Sequence, residues 1–137
     1  MTIIVGYLPT PEGYASLSHA AREAILRRQP LTVVDISHHG GPRDAHHGEP
    51  LDATALPADI EQLRERLTTE NLDLRVHPPA GLEPSDELIR AAQETDAELI
   101  VVGLRHRTAV GKFLLGSYAQ RVLLEAECPV LSVKATR

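Results

Sequence analysis

The sequence has a single cysteine, Cys128, among its 137 residues, and it contains no apolar run long enough to cross a bilayer. One cysteine excludes an intrachain disulfide and gives no support for an oxidising compartment. A transmembrane helix needs about 20 predominantly apolar residues, and no stretch approaches that length. The first residues also lack the charged and then apolar pattern of a secretory signal peptide. We therefore expect a cytoplasmic protein with no membrane partner.

A basic surface is also missing, because 19 acidic residues outnumber 14 Lys and Arg residues and the formal net charge is -5. Domains that bind nucleic acids usually gather their cations on one face, whereas here they are scattered or confined to one loop. We expect no nucleic-acid partner.

With 42% hydrophobic and 24% charged residues, the chain is expected to form one domain over residues 1–137 with an ordinary core.

Apolar, β-rich segments alternate with segments of helical periodicity along the chain. The β-rich segments predict strands at Thr2–Leu8, Leu31–Ile36, Leu72–His77, Leu99–Val102 and Val130–Val133. Helical spacing predicts four helices. The first spans Pro11–Arg28 with Thr10 as its cap, and the second spans about Ile60–Asn71. The third begins after the cap Ser85 and ends near Thr95, and the fourth spans Ser117 to about Glu127. Glycine and proline interrupt any period over residues 37–57, which predicts a long loop.

This alternation predicts an α/β fold with right-handed crossovers and helices on both faces of the sheet. We expect a single-domain, Rossmann-like, doubly wound sheet of five parallel strands in the order 3-2-1-4-5. In such a sheet, ligands bind beyond the carboxyl ends of the strands, where the strand order reverses. The ends of the strands at Leu8, Ile36 and Gly103 are therefore the expected site.

The most informative segment is residues 97–134, where an apolar strand leads into a basic, glycine-punctuated loop and then into a helix. Arg105, Arg107 and Lys112 are the only full charges between Gly103 and Ser117. The backbone N–H groups at a helix start, the positive end of the helix dipole and nearby cations together favour an anion. The segment predicts a phosphate site, and the alternative interpretation is a solvated basic loop.

Other motifs are weaker. Gly111 and Lys112 resemble part of a Walker loop, but Phe113 occupies the position that requires Ser or Thr. No Gly-x-Ser-x-Gly elbow occurs, so Ser117 is predicted to be a ligand-binding or capping residue rather than a nucleophile. The sequence predicts no catalytic residue.

Four histidines lie in the predicted loop, and neutral imidazole is a common ligand for transition metals. They are His38, His39, His46 and His47, with Asp44 and Asp52 nearby. Adjacent histidines rarely point at one ion without a tight loop, and no cysteine accompanies them. We predict no metal site. Cys128 is predicted to be a small buried residue without a redox role.

Gly103, His106, Gly116 and Ser117 have the spacing Gly-x2-Gly-x9-Gly-Ser/Thr, which nucleotide-binding members of the universal stress protein family carry after their fourth strand. Three of these four positions match the motif. Ala119, Val122 and the run Cys128-Pro129-Val130 are also similar to the last helix and strand of that family. The chain resembles the family over its whole length, which implies one universal stress protein domain at residues 1–137.

The resemblance implies binding of an adenine nucleotide by a stress-response sensor or regulatory module. Val102 and Gly103 would line the adenine and ribose side, together with Ile36 from the second strand. Gly116 and Ser117 would hold phosphates. Tyr118 is a candidate to pack beside the ligand, and the alternative is that this residue of the first helical turn serves packing alone. The nearby cations Arg105, Arg107 and Lys112 would complete the site.

Two positions depart from the family pattern. His106 stands where the motif has its second glycine, so its backbone is more restricted, although a protonated imidazole would suit a phosphate. Leu8 stands where the family commonly has an acidic residue at the end of the first strand. That change removes a hydrogen-bonding carboxylate near the base. One lost hydrogen bond costs about 0.5 to 1.5 kcal/mol, which predicts weakened binding rather than none.

ATP is the expected ligand, with AMP and cyclic AMP as alternatives and magnesium as a companion of ATP. The apolar last strand, Val130–Val133, predicts a homodimer by edge pairing, as is common in the family. No paired acid and base accompanies the loop, so we expect a binding protein with at most slow, incidental ATP hydrolysis.

Two alternatives stay open. A family member with a lost nucleotide pocket would act as a homodimeric interaction module. A small enzyme acting on a phosphorylated substrate would show turnover that depends on Ser117 or Lys112.

Overall fold

The computed structural model describes residues 1–37, 51, 54–107, 112–114 and 117–135, and it describes the side chains of these residues except at 105–107, 112–114 and 117. The strands are β1 (Thr2–Tyr7), β2 (Leu31–Asp35), β3 (Leu74–Val76), β4 (Ala97–Arg107), β5 (Lys112–Leu114) and β6 (Val130–Lys134). The helices are α1 (Pro11–Arg27), α2 (Ala58–Thr69), α3 (Pro84–Thr95) and α4 (Ser117–Glu125).

Five parallel strands form the central sheet in the order β3-β2-β1-β4-β6. Counted among the parallel strands alone, this is the predicted order 3-2-1-4-5, and the doubly wound α/β fold is confirmed. The prediction that the fourth strand ends at Val102 is wrong. β4 continues to Arg107 because β5 pairs with it antiparallel, with Arg105 opposite Leu114. In this short hairpin, backbone N–H and C=O groups of β4 and β5 form hydrogen bonds with each other, whereas in a loop they would have to bind solvent.

Alternate residues of the central strands enter two apolar clusters, one on each face of the sheet. On one face, α1 and α2 contribute to a cluster with Ile3 and Val101. On the other face, α3 and α4 contribute to a cluster with Ile4 and Ile100. Every residue of β1 and of β2 is buried. This two-sided burial explains why those strands are nearly continuous apolar runs.

The predicted start of α1 is confirmed. The Thr10 side chain accepts a hydrogen bond from the N–H of Gly13 at 3.1 Å, and Pro11 occupies the first turn. The prediction that Ser85 caps α3 is wrong. Glu83 is the N-cap, and Pro84 begins the helix because its fixed φ and missing N–H suit the first helical position. Ser85 lies in the first turn and is buried.

Other predicted element ends shift by a short distance. Strands β1 and β2 end at Tyr7 and Asp35 rather than at Leu8 and Ile36, and β3 is limited to Leu74–Val76. The second helix ends at Thr69, and Asn71 has a φ of 59°, in the left-handed region that ends a helix. The fourth helix ends at Glu125. Most of the loop predicted over residues 37–57 lies outside the described residues.

Glu87 on α3 is a fully buried carboxylate. Its Oε1 accepts hydrogen bonds from the backbone N–H groups of Ala80 at 2.8 Å and Leu82 at 2.9 Å. Its Oε2 has no hydrogen-bond partner in the part of the chain that the structure describes. The next residue, Leu88, belongs to the apolar cluster that faces α3 and α4. Glu87 therefore fixes the connection between β3 and α3 against the sheet.

Replacing this carboxylate tests its structural role. We expect Glu87→Ala to lower the free energy of unfolding by about 2 to 3 kcal/mol, because two part-buried backbone N–H groups lose their acceptor and the buried side chain leaves a cavity. Urea unfolding measures the change. The control is Glu61→Ala, which removes a partly exposed glutamate that lies 3.6 Å from Arg64 and should change stability by no more than about 0.5 kcal/mol. Equal losses in the two variants would contradict the role assigned to Glu87.

Candidate functional site

Four predicted site residues from four elements or their ends meet in one apolar cluster. Leu8 follows β1, Ile36 follows β2, Val102 lies in β4 and Tyr118 lies in α4, and all four belong to or pack against the cluster on the α3 and α4 face. Ile36 and Val102 are buried, whereas Leu8 and Tyr118 are half-buried. The N–H of Ile36 donates to the Tyr7 carbonyl at 3.1 Å, which holds Ile36 beside the end of β1. The structure thus brings the predicted base side together.

Hydrogen bonds and an ion pair connect the first turns of α4 to β4 and to α3. The Tyr118 hydroxyl donates to the Gly103 carbonyl at 3.4 Å. Arg121, one turn further along α4, forms an ion pair with Asp86 at 2.9 Å and donates to the Ser85 hydroxyl at 3.1 Å. Hydrogen bonding to Asp86 and the charges of Asp86 and Glu125 raise the pKa of Arg121. These contacts fix the amino terminus of α4, the positive end of its dipole, beside Gly103 of β4.

The backbone of the basic segment forms part of the hairpin between β4 and β5. His106 lies opposite Phe113, and Arg107 lies opposite Lys112. The departure at His106 therefore has a structural reason, because a strand backbone accepts any L residue and does not need the freedom of glycine. Gly116 lies outside the described residues, and the roles of the side chains of Arg105, Arg107, Lys112 and Ser117 stay predictions.

Gly103 has a packing role that its sequence motif does not reveal. A Cβ atom at this position would lie 2.6 Å from the Glu12 carbonyl oxygen and 2.7 Å from the Ser16 hydroxyl oxygen. Helix α1 can therefore approach β4 closely only because residue 103 has no side chain. The resemblance implies that Gly103 lines the adenine and ribose side, which stays a prediction, and the structure shows in addition that the missing side chain lets a helix approach.

A buried carboxylate that the sequence analysis did not select lies at the end of β2. Asp35 accepts hydrogen bonds from the N–H of Ser37 at 2.9 Å and from the N–H of Leu51 at 3.1 Å. Asp35 is paired in register with Tyr7, and burial, Tyr14 and Asp35 raise the pKa of the Tyr7 hydroxyl. The carboxylate organises the turn after β2. An acid within a buried apolar run is the signal that would have identified it.

The remaining candidates add no metal centre among the residues that the structure describes, where no group of three His, Cys, Asp or Glu side chains is arranged to hold an ion. His38, His39, His46, His47, Asp44 and Asp52 lie outside those residues. Cys128 is half-buried, and burial raises the pKa of its thiol. In the described segments, none of the helices has the length and apolar character that a membrane span requires.

Comparison with known proteins identifies relatives along nearly the whole chain. The model of the universal stress protein family matches residues 1–134. A universal stress protein of Mycolicibacterium smegmatis is 37% identical over 132 residues, which covers 96% of each chain.

Solved structures agree with this match. A universal stress protein from Archaeoglobus fulgidus is similar with a TM-score of 0.63 and 30% identity, covering 98% of both chains. A universal stress protein from the same organism in complex with dAMP has a TM-score of 0.59 and 29% identity, again covering 98% of both chains.

The packing role of Gly103 predicts the effect of a single added carbon. We expect Gly103→Ala to lower the free energy of unfolding by about 1 to 3 kcal/mol, because the new Cβ would collide with backbone of α1. Chemical unfolding measures the loss. The matched control is Gly6→Ala in β1, whose Cβ would meet only side-chain carbons, with Ile36 at 3.1 Å. A Gly103→Ala protein that is as stable as the parent would show that α1 does not pack this closely.

Proposed function

The chain belongs to the universal stress protein family, and from that premise we propose that it binds an adenine nucleotide at the carboxyl edge of its sheet as a stress-response regulatory module. The observation that carries this proposal is the convergence of Leu8, Ile36, Val102 and Tyr118 beside the amino terminus of α4. This places an apolar surface suited to a base next to a helix start suited to a phosphate. The relative with 29% identity was solved in complex with dAMP, which is an adenine nucleotide with one phosphate.

The proposed site has a base side and a phosphate side. The half-buried Leu8 and Tyr118 would face one side of the base and exclude water from it, with the buried Ile36 and Val102 behind them. The N–H groups at the start of α4 and the cations Arg105, Arg107 and Lys112 serve the phosphates. ATP presents the most negative charge to these cations, so we propose ATP as the preferred ligand over AMP and cyclic AMP. Magnesium would be held mainly by the phosphates of ATP.

We propose that the protein acts by binding and not by catalysis. The buried carboxylate at this edge, Asp35, accepts backbone hydrogen bonds from Ser37 and Leu51, so its lone pairs are already engaged in the turn. An acid in that arrangement is a poor general base. The module would work in the cytoplasm by changing its contacts when the nucleotide is bound.

A homodimer is a second part of the proposal, and β6 supports it. Within the described residues β6 pairs only with β4, so the outward backbone groups at Val130 and Ser132 have no strand partner there. The N–H of Ile100 donates to the Pro129 carbonyl at 3.0 Å. The alternation of a parallel ladder then directs the N–H groups of Leu131 and Val133 toward β4 and that of Ser132 outward. The outward edge is the proposed interface between two copies.

Calorimetry tests the nucleotide site. We expect ATP to bind, and we expect Lys112→Gln to weaken ATP about tenfold because a cation facing the phosphates is lost. Adenosine, which has no phosphate, should bind parent and variant equally. Arg22→Gln on α1 is the control, because Arg22 is an exposed cation outside the site. Absence of heat and of a thermal shift with millimolar ATP would overturn the proposal.

Sedimentation velocity tests the homodimer. We expect the parent chain to be dimeric and Ser132→Pro to be monomeric, because proline removes the outward N–H and leaves the ladder with β4 intact. Ser132→Ala, which keeps that N–H, should stay dimeric. A parent chain that is monomeric at high concentration would refute edge pairing.

A further inference from the structure

A groove lies between α1 and α2, on the sheet face opposite the apolar cluster of the proposed nucleotide site. Its volume is about 410 Å³, within the range of pockets that hold small molecules. It is lined by Tyr14, Leu17 and Ser18 of α1 and by Asp59, Gln62, Leu63 and Arg66 of α2. The groove is on the sheet face that α1 and α2 cover, opposite the cluster that contains Val102.

The centre of the groove is apolar and held in place. Leu17 is buried in the core, and Leu63 packs against the same cluster. Tyr14 is 42% exposed although it is a large aromatic residue. Burial and then the neighbouring Tyr14 raise the pKa of the Tyr7 hydroxyl, so the Tyr14 side chain lies close to that of the buried Tyr7. The exposed Tyr14 ring therefore presents an aromatic surface to the groove.

Two opposite charges stand at the ends of this apolar centre. Asp59 lies in the first turn of α2, and Arg66 lies in its last turn. They are seven residues apart, which corresponds to about 10 Å along the helix axis. Both side chains are exposed. They are too far apart along the helix to be the neighbours that pair at three or four residues.

Arg66 differs from most arginines of the described chain. Ion pairs with carboxylates occupy the arginines at positions 27, 28, 64, 75, 90 and 121. In the part of the chain that the structure describes, no carboxylate lies within ion-pair distance of Arg66 or cation of Asp59. A guanidinium and a carboxylate are thus available at opposite ends of one aromatic and aliphatic surface.

We propose that this groove binds a small zwitterionic amphiphile, with an ammonium group at one end, a carboxylate at the other and an apolar body between them. The carboxylate would meet the guanidinium of Arg66, which is suited to planar carboxylates. The ammonium group would meet Asp59 and the face of Tyr14, because a cation is attracted to an aromatic ring. The apolar body would cover Leu63, above the buried Leu17. Extended ω-amino acids belong to this class.

Amide chemical-shift titrations of the full chain test the proposal with ε-aminocaproate as the probe. Caproate and hexylamine, which each keep one charge of the probe, are measured at the same ionic strength. We expect ε-aminocaproate to shift the amides of α1 and α2 around the groove and to bind at least about tenfold more tightly than either control.

Two variants connect the affinity to the named charges. Arg66→Gln and Asp59→Asn should each weaken ε-aminocaproate about tenfold, and each should reduce its advantage over the corresponding single-charge control. Arg22→Gln is the matched control, because Arg22 is also exposed but does not line the groove. Both groove variants change exposed residues, and unchanged circular dichroism confirms that they fold.

Three outcomes would overturn the proposal. The first is ε-aminocaproate binding no tighter than caproate and hexylamine. The second is a loss of affinity in Arg22→Gln as large as in Arg66→Gln. The third is a set of shifted amides that lies outside α1 and α2.

Discussion

Burial of the central strands on both faces is the constraint on which the rest of the structure depends. β1 and β2 are buried along their whole length, and Leu99–Val102 of β4 is buried as well. Parallel strands without a polar face need helices above and below them. The chain supplies α1 and α2 for one face and α3 and α4 for the other. The carboxyl ends of β1, β2 and β4 then open onto one edge, where the connections have room to carry a ligand.

Covering both faces also explains the polar contacts at that edge. Each crossover must return the chain from a strand end to a helix start, and its backbone needs hydrogen-bond partners. Asp35 provides them after β2, and Glu87 provides them before α3. Both carboxylates are buried, and both accept hydrogen bonds from backbone N–H groups. The two carboxylates therefore hold the backbone of this edge in place by accepting hydrogen bonds from its N–H groups. The remaining side chains of the edge that belong to the cluster are apolar.

The sequence was sufficient for the order of the elements and for bringing Leu8, Ile36, Val102 and Tyr118 into one cluster. It was less so for details that depend on contacts between distant segments. The apolar runs around Ile4, Val33 and Ile100 are typical of strands that are covered on both faces of a parallel sheet. Those strands could therefore be predicted from the sequence. The hairpin at Arg107 was not, because its partner strand is only three residues long and lacks a pattern of its own. Asp35 was missed because its acceptor role depends on the N–H of Leu51, which is 16 residues away. The cap of α3 was misplaced because Ser85 has a suitable side chain for that role, whereas Pro84 determines where the helix begins.

The close approach of α1 to β4 at Gly103 changes how much information the glycine motif carries. The Glu12 carbonyl oxygen alone is enough to exclude any side chain at residue 103, whether or not a nucleotide binds there. A descendant of this chain that abandoned nucleotides altogether would still be selected to retain glycine there. In sequences whose first helix packs in this way, the first glycine of the motif is therefore a marker of architecture. The positions that can distinguish a ligand-binding member from one that has lost its ligand are those that the fold itself leaves free to vary.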